Sequence, residues 1–261
     1  MFRHTVQKNV FVPSSGDELM EFTSVTIIIG TTDETDSLKK TVDYIMENCD
    51  YDDLSKVLMV KSKNASEGCN EAISFLEVKY GEKVRGLEQT RPYIGGAIRD
   101  GFDAAESSHI MLLPSDLAIS LECIPEMIRR VKAKPDVISK TSRWLKKDSF
   151  HEYNGLRKII NKLSQIFLRV LYSADLTDFT SPVQTAPTEA YMKSVWQELN
   201  FPFLLEMVLV PLRRGYRFEE FAVGCYGRQQ GKSKNSAKQT VLYLKTALRI
   251  RFTKKSRLTK E

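Results

Sequence analysis

His109-Ile-Met-Leu-Leu-Pro-Ser-Asp116-Leu-Ala-Ile-Ser120 is the stretch on which the fold turns. Ile110 to Leu113 is a continuous apolar run, as expected of a strand buried on both faces in a parallel sheet. Pro114 has no N–H to give to a ladder, so pairing should stop there and leave Asp116 in the loop beyond. Ligands of open α/β sheets bind outside the carboxyl ends of strands. A carboxylate at this point is therefore a candidate to hold a metal ion or a polar ligand. Its plainer role would be to cap a helix starting near Ser120–Leu121.

Upstream, Val25-Thr-Ile-Ile-Ile29 is a β-branched run closed by Gly30, and Lys56-Val-Leu-Met-Val60 is a second such strand. Residues 83–89 form a weaker third. Helical patterns lie between them: one capped by Asp36 or Ser37 and running through Leu38, Val42 and Ile45, then Cys69 to Tyr80, then Ile98 to Ala105. Strand and helix in alternation imply a doubly wound, mostly parallel sheet with helices on both faces, an α/β fold.

Downstream, Glu122 to Ala133 reads as a helix and Asp136-Val-Ile-Ser139 as a short strand. Leu156, Ile159, Ile160, Leu163, Ile166, Phe167, Val170 and Leu171 fall on one stripe of a long helix from Gly155. Such stripes usually pack on a core, and this one is read that way, a membrane-lying helix being the alternative. Asp175 to Pro187 reads as a loop with a strand-like middle, Tyr191 to Leu199 and Phe203 to Arg214 as helices, and Arg217 to Gly224 as a strand. A basic helix begins near Lys238.

Charge is unevenly placed. The 261-residue chain has a net charge of +6, yet from Lys232 onward 10 Lys/Arg stand against Glu261 alone, so residues 1–231 sum to −3. A mildly acidic body with a basic end argues against a nucleic-acid binder and for a local anionic partner. Cys49, Cys69, Cys123 and Cys225 are far apart, which fits a reducing, cytoplasmic setting and gives no zinc or disulfide pattern. No segment reads as a secretory leader or a membrane span. The expected organisation is an extension over residues 1–22, a domain over 23–235, and a basic amphipathic helix or tail over 236–261.

With these pieces in order, the chain resembles family 2 glycosyltransferases of GT-A fold, and within them the dolichol-phosphate mannose synthase and polyprenyl-phosphate sugar transferase group. Gly30-Thr-Thr-Asp33-Glu34 stands where that family ends its first strand in Pro-x-Tyr-Asn-Glu. Arg91-x-x-x-Gly95-Gly96-Ala97, with Gly101 and Ala105, is similar to its Gly/Ala-rich helix. Ser142-Arg143, Asp178-Phe-Thr-Ser181, Leu205-Glu206-Met207 and Gly215-x5-Glu220-Phe-Ala follow in the family's order. Arg228-Gln-Gln-Gly231-Lys-Ser233-Lys234 matches Arg-x-x-Gly-x-Ser-Lys in full. Two positions depart: Pro114-Ser115-Asp116 stands for the metal-holding Asp-x-Asp, and Lys61-Ser62 for the Asp that reads the nucleotide base.

The resemblance implies inverting transfer from a nucleotide-diphosphate sugar to an acceptor, polyprenyl phosphate first. The alternatives are transfer to a sugar hydroxyl of a glycan or glycolipid, and a GT-A protein that binds a nucleotide or partner without catalysis. Asp116 would hold Mg²⁺ or Mn²⁺ on the diphosphate, since magnesium needs only one or two carboxylates besides phosphates and water. Gly30, Thr32, Asp33, Glu34, Lys61, Arg91, Gly95 and Ser115 would join Asp116 around the donor. Arg228 and Lys234 would neutralise the leaving group, with Arg143 on the acceptor phosphate and Asp178, Glu206 and Ser233 on the acceptor side. A phosphate acceptor needs no general base, whereas a hydroxyl would need one, for which Glu206 or Asp178 is the candidate. The apolar stripe of the C-terminal helix, flanked by Arg249, Arg251, Lys254 and Lys255, would make peripheral contact with an anionic leaflet; the alternative is a surface helix or frayed tail.

Overall fold

A computed structural model describes residues 20–147, 149–150, 155–226 and 237–260, with the backbone alone described at 156–157 and 237–240. Its centre is a seven-stranded sheet. The strands are β1 (Val25–Thr31), β2 (Leu54–Lys61), β3 (Val84–Glu88), β4 (His109–Leu112), β5 (Val137–Ser142), β6 (Gln184–Pro187) and β7 (Arg217–Ala222), in spatial order β3-β2-β1-β4-β6-β5-β7. All neighbours are parallel except β6, which lies antiparallel to both β4 and β5. The strand expected in the middle of 175–187 is thus at its end.

The helices are α1 (Asp36–Asn48), α2 (Glu67–Tyr80), α3 (Tyr93–Asp103), α4 (Cys123–Ala133), α5 (Gly155–Tyr172), α6 (Thr188–Met192), α7 (Pro202–Arg214) and α8 (Ala237–Phe252). Side chains of a strand alternate between faces, and β1 shows the consequence. Ile27 and Ile29 enter one core with α1, α2 and α4, whereas Ile28 enters the other with α3 and α7. Gly101 of α3 is set by this second contact, because a Cβ there would meet Ile28 Cγ2 at 2.6 Å.

Two sequence expectations fail for identifiable reasons. The helix expected over Tyr191–Leu199 stops at Met192. Beyond it, tertiary partners take the amides that a helix would use internally. Val195 N–H donates to Leu258 O at 3.0 Å, and the N–H groups of Gln197 and Glu198 donate to the Glu206 carboxylate.

The second failure is α5, which is turned inside out. Gln165 is buried, its Oε1 accepting from Phe179 N–H at 2.7 Å and its Nε2 donating to Thr180 Oγ1 at 3.0 Å, and Asn161 Oδ1 accepts from Trp144 Nε1 at 3.1 Å. The loop beneath therefore demands polar partners, and the helix presents its polar face to it. Of the predicted stripe, Ile159, Leu163, Ile166 and Val170 are left facing outward, Leu163 at 61% and Val170 at 75% exposure.

The C-terminal helix α8 docks firmly on α7 through Ala247 and Ile250. The chain after it closes on the body through a bridge between Ser194 and Thr259 and a bond from Lys260 N–H to Lys193 O at 2.8 Å. Among the described residues no helix is long and apolar enough to cross a membrane.

Candidate active site

A cleft of about 1820 Å³ opens along the carboxyl ends of β1 to β4, where the loops after those strands form one wall. Gly30, Thr32, Asp33, Glu34, Arg91, Ser115 and Asp116 all line it. The opposite wall is apolar and comes from α5, α7 and α8, with Ile160, Leu163, Phe167, Leu204, Val241 and Leu244. Arg143 and Thr180 lie on its lining as well.

The donor-side loops are tied before any ligand arrives. Glu34 Oε2 accepts from the N–H groups of Thr32 at 2.8 Å and Asp33 at 3.1 Å, which closes the turn after β1. Gly30 supplies room, because a Cβ built there meets nothing within 4 Å. Asp100, unremarked in the sequence, organises the loop between β3 and α3. Its carboxylate accepts from Thr90 N–H and Oγ1 and from the Arg91 N–H and guanidinium. Burial would raise the Asp100 pKa, but these donors outweigh it and hold the group charged. Arg91 also pairs with Asp103 at 2.6 Å, so its guanidinium is committed to α3 while its edge lines the cleft.

Asp116 sits at the floor, 7% exposed, with Oδ1 accepting from Ala118 N–H at 3.1 Å. It does not cap α4, which begins at Cys123 with no side-chain cap bond. Its turn forces Leu117 to a φ of 55°, and across the cleft Tyr93 opens α3 at 61°. Each left-handed residue costs about 1–2 kcal/mol, and such strain gathers at ligand-binding corners.

A divalent ion fits this floor in one way. The buried Ser115 Oγ has no hydrogen-bond partner and stands beside Asp116 on the lining. Among the described residues no group of three or more His, Cys, Asp or Glu is arranged to hold a metal. The chain thus offers a carboxylate and a hydroxyl, enough for an ion whose other ligands are phosphate oxygens and water.

Several expected site residues stand elsewhere. Lys61 is outside the cleft lining and pairs with Glu88 of the neighbouring strand at 3.2 Å. Gly95 serves packing: its N–H donates to Leu199 O at 2.7 Å, and a Cβ there would meet Phe203 at 2.8 Å. Glu206 is fully buried and receives Gln197 N–H, Glu198 N–H and Arg249, so it fastens α8 and is not open to an acceptor. Burial raises its pKa, with Arg249 and the two amides opposing. Arg249 is thereby turned inward, and Arg251 Nε donates to Leu171 O at 2.8 Å, so neither guanidinium is spare for a leaflet.

Asp178 is the fully buried hub of a second network. It takes Arg143 Nε at 2.7 Å and Nη2 at 2.9 Å, together with the N–H groups of Arg143, Thr180 and Ser181. Burial alone would raise its pKa. Arg143, with Lys140 behind it, reverses that and holds the carboxyl far below the usual range. Glu220 completes the set by accepting from Thr177 and Asp178 N–H. Three motifs scattered along the sequence, Ser142-Arg143, Asp178–Ser181 and Glu220, are thus one ionic assembly that holds Arg143 at the cleft. Fully buried Lys140, which donates to Ser181 O, gave no sequence signal, and burial lowers it to about 8.

Arg228, Ser233 and Lys234 lie outside the described residues. Both flanks of their segment border the cleft. Tyr226 N–H donates to Ala118 O at 2.8 Å, two residues from Asp116, and Val241 lines the opposite wall.

The sequence profile described as Glycosyl transferase family 2 matches residues 26–197. Among solved structures, glucosyl-3-phosphoglycerate synthase from Mycobacterium tuberculosis with Mg²⁺ and uridine diphosphate is 12% identical, with a TM-score of 0.68 over 87% of this chain and 79% of that one. The same enzyme with Mn²⁺, UDP-glucose and phosphoglyceric acid is 11% identical, with a TM-score of 0.68 over 88% and 80%. A further mycobacterial protein is 13% identical, with a TM-score of 0.67 over 90% and 76%. At these identities the likeness is one of fold, the GT-A fold.

Proposed function

The chain belongs to glycosyl transferase family 2, and from that premise we propose that it is an inverting enzyme that moves a sugar from a nucleoside diphosphate to a polyprenyl phosphate. One observation carries the reading: a single cleft joins a polar wall around Asp116 to an apolar wall from α5, α7 and α8. The first suits a nucleotide and its diphosphate, the second a greasy acceptor. The solved relatives hold UDP, Mg²⁺ or Mn²⁺, and a small phosphorylated acceptor, which supports a nucleotide-sugar donor and a phosphate-bearing acceptor in this fold, the polyprenyl tail being argued from the apolar wall of this chain alone.

In the step, an acceptor phosphate oxygen attacks the anomeric carbon as the bond from that carbon to the diphosphate breaks. One inverted product and a nucleoside diphosphate result. The phosphate is already anionic at neutral pH and needs no base. That agrees with Asp178 and Glu206 being sealed in the interior, where neither reaches a hydroxyl. Asp116 and Ser115 would hold Mg²⁺ or Mn²⁺, which supplies charge to the diphosphate. Gly30, Thr32, Asp33, Glu34 and Arg91 border the nucleotide, Arg143 attracts the acceptor phosphate, Arg228 and Lys234 neutralise the leaving diphosphate, and Ser233 serves the acceptor. The enzyme works on the cytoplasmic side, with α8 toward an anionic leaflet.

Turnover of UDP- and GDP-sugars with a short polyprenyl phosphate tests this, with 3-phosphoglycerate as the competing acceptor and Asp116→Asn as control. Product on the polyprenyl phosphate alone, lost in the variant, is expected. Product on phosphoglycerate alone would move the acceptor to the small-molecule class.

A further inference from the structure

The outward stripe of α5 is the least explained surface of the molecule. Ile159, Leu163, Ile166 and Val170 occupy one side of the helix, all at least half exposed, while Gln165 and Leu168 on the other side are buried. An adjacent helix repeats the arrangement. On α8, Val241, Leu244, Leu248 and Phe252 face out, Phe252 at 77% exposure, while Ala247 and Ile250 face in. The two helices are in contact, so their stripes join at the rim of the cleft, to which Leu163, Val241 and Leu244 also belong. Ordinary soluble surfaces do not leave eight large apolar side chains together in water.

We infer that α5 and α8 together form a seat that lies in the interface of an anionic bilayer leaflet, with α5 the principal contact. Charge selects this occupant. Residues 155–172 and 237–252 contain no Asp or Glu, and six Lys or Arg besides the inward-turned Arg249 and Arg251. The loop leading to α5 adds exposed Leu145, Lys146 and Lys147. At its flank Lys162 lies over the Trp144 ring at 4.6 Å, and Trp144 bonds to Asn161. An apolar stripe bordered by cations and an amphipathic indole is the composition of an interfacial helix. A second copy fits poorly, because a two-fold contact would set cations against cations. The seat deepens the acceptor reading and rests on it only for placing the enzyme at a membrane. A leaflet on α5 and α8 brings a lipid-borne phosphate to the apolar wall without extracting its chain into water.

The test uses the full chain and vesicles without acceptor: phosphatidylcholine alone, and phosphatidylcholine with phosphatidylglycerol. The chain is expected to sediment with the anionic vesicles, and less so as salt rises. The combined variant Ile159→Ser, Ile166→Ser, Val170→Ser, none of which lines the cleft, should weaken that binding by about tenfold or more. Its thermal melt and its calorimetric affinity for nucleoside diphosphate should be unchanged, which separates lost docking from lost folding. Wild type remaining in the supernatant with both vesicle types would overturn the inference, as would equal binding by the variant. A wild-type dimer in sedimentation equilibrium that the variant reduces to monomer, without vesicle binding, would assign the face to a second copy. Vesicle binding without turnover on polyprenyl phosphate would count against the acceptor alone.

Discussion

Asp116 follows β4 and Asp178 precedes β6, its neighbour in the sheet, and both are nearly inaccessible, yet their surroundings differ in kind. Asp178 meets the Arg143 guanidinium with both oxygens and collects backbone amides besides. Asp116 lies on the wall of a cleft, in a turn strained at Leu117, beside a serine hydroxyl with no partner. A carboxylate sealed among a guanidinium and backbone amides is scaffold, and one that borders an open cleft can meet a ligand. Burial alone does not separate the two. Their place relative to the cleft does.

That contrast is breakable. Asp178→Ala should produce the largest effect, because it strands Arg143 and Lys140 in the interior. Loss of one member of a buried pair costs about 3–5 kcal/mol, to be read as a lowered urea midpoint. Asp116→Asn should leave that midpoint in place and lower kcat by about 10²–10³-fold, the size of a lost charge-stabilising contact. If the two variants exchange phenotypes, the assignment is reversed.

Gly95→Ala sharpens the contrast on the other side of the cleft. Its added methyl meets Leu199 O and Phe203, so about 1–3 kcal/mol of stability should be lost to overpacking. The affinity of the refolded variant for nucleoside diphosphate should be unaltered. A normal melt with weakened nucleotide binding would return Gly95 to the donor site.

The smallest effect is a pH slope. Burial pushes Lys140 down to about 8, against the pull of Asp178 and Glu220. Between there and the unfolded value of about 10.4 the unfolded chain binds more protons than the folded one, so stability should rise with pH across that window. Lys140→Met should flatten the rise in urea titrations at stepped pH. An equal slope in both proteins would place the ionisation elsewhere.

The local alternation of strand and helix was legible because it is written at periods of two and 3.6 residues. Val25–Ile29, Lys56–Val60 and Ile110–Leu112 all lie in the sheet, and the profile match and the solved relatives bear out the family and the fold. What failed depended on contacts distant in sequence. The stripe of α5 has the periodicity of a core helix, and nothing in that periodicity says that Phe179 and Thr180 need Gln165 on the opposite side. The expected helix over 191–199 was lost to the Glu206 carboxylate, eight and nine residues on from the amides it takes, and to the C-terminal strap at Leu258. At the site, residue type marked Asp116, Asp178 and Glu206 alike. What separates them is distant in sequence: Asp178 and Glu206 are held in the interior by arginines 35 and 43 residues away, whereas Asp116 lines the cleft.

The claim beneath the rest is that the loops after β1, β3 and β4 grip a diphosphate around Asp116. Titration of UDP and GDP into the protein, with Mg²⁺ and then with EDTA, tests it directly. The account predicts heat with one nucleotide, lost or weakened about tenfold or more by EDTA and by Asp116→Asn. Affinity unmoved by either change would contradict it.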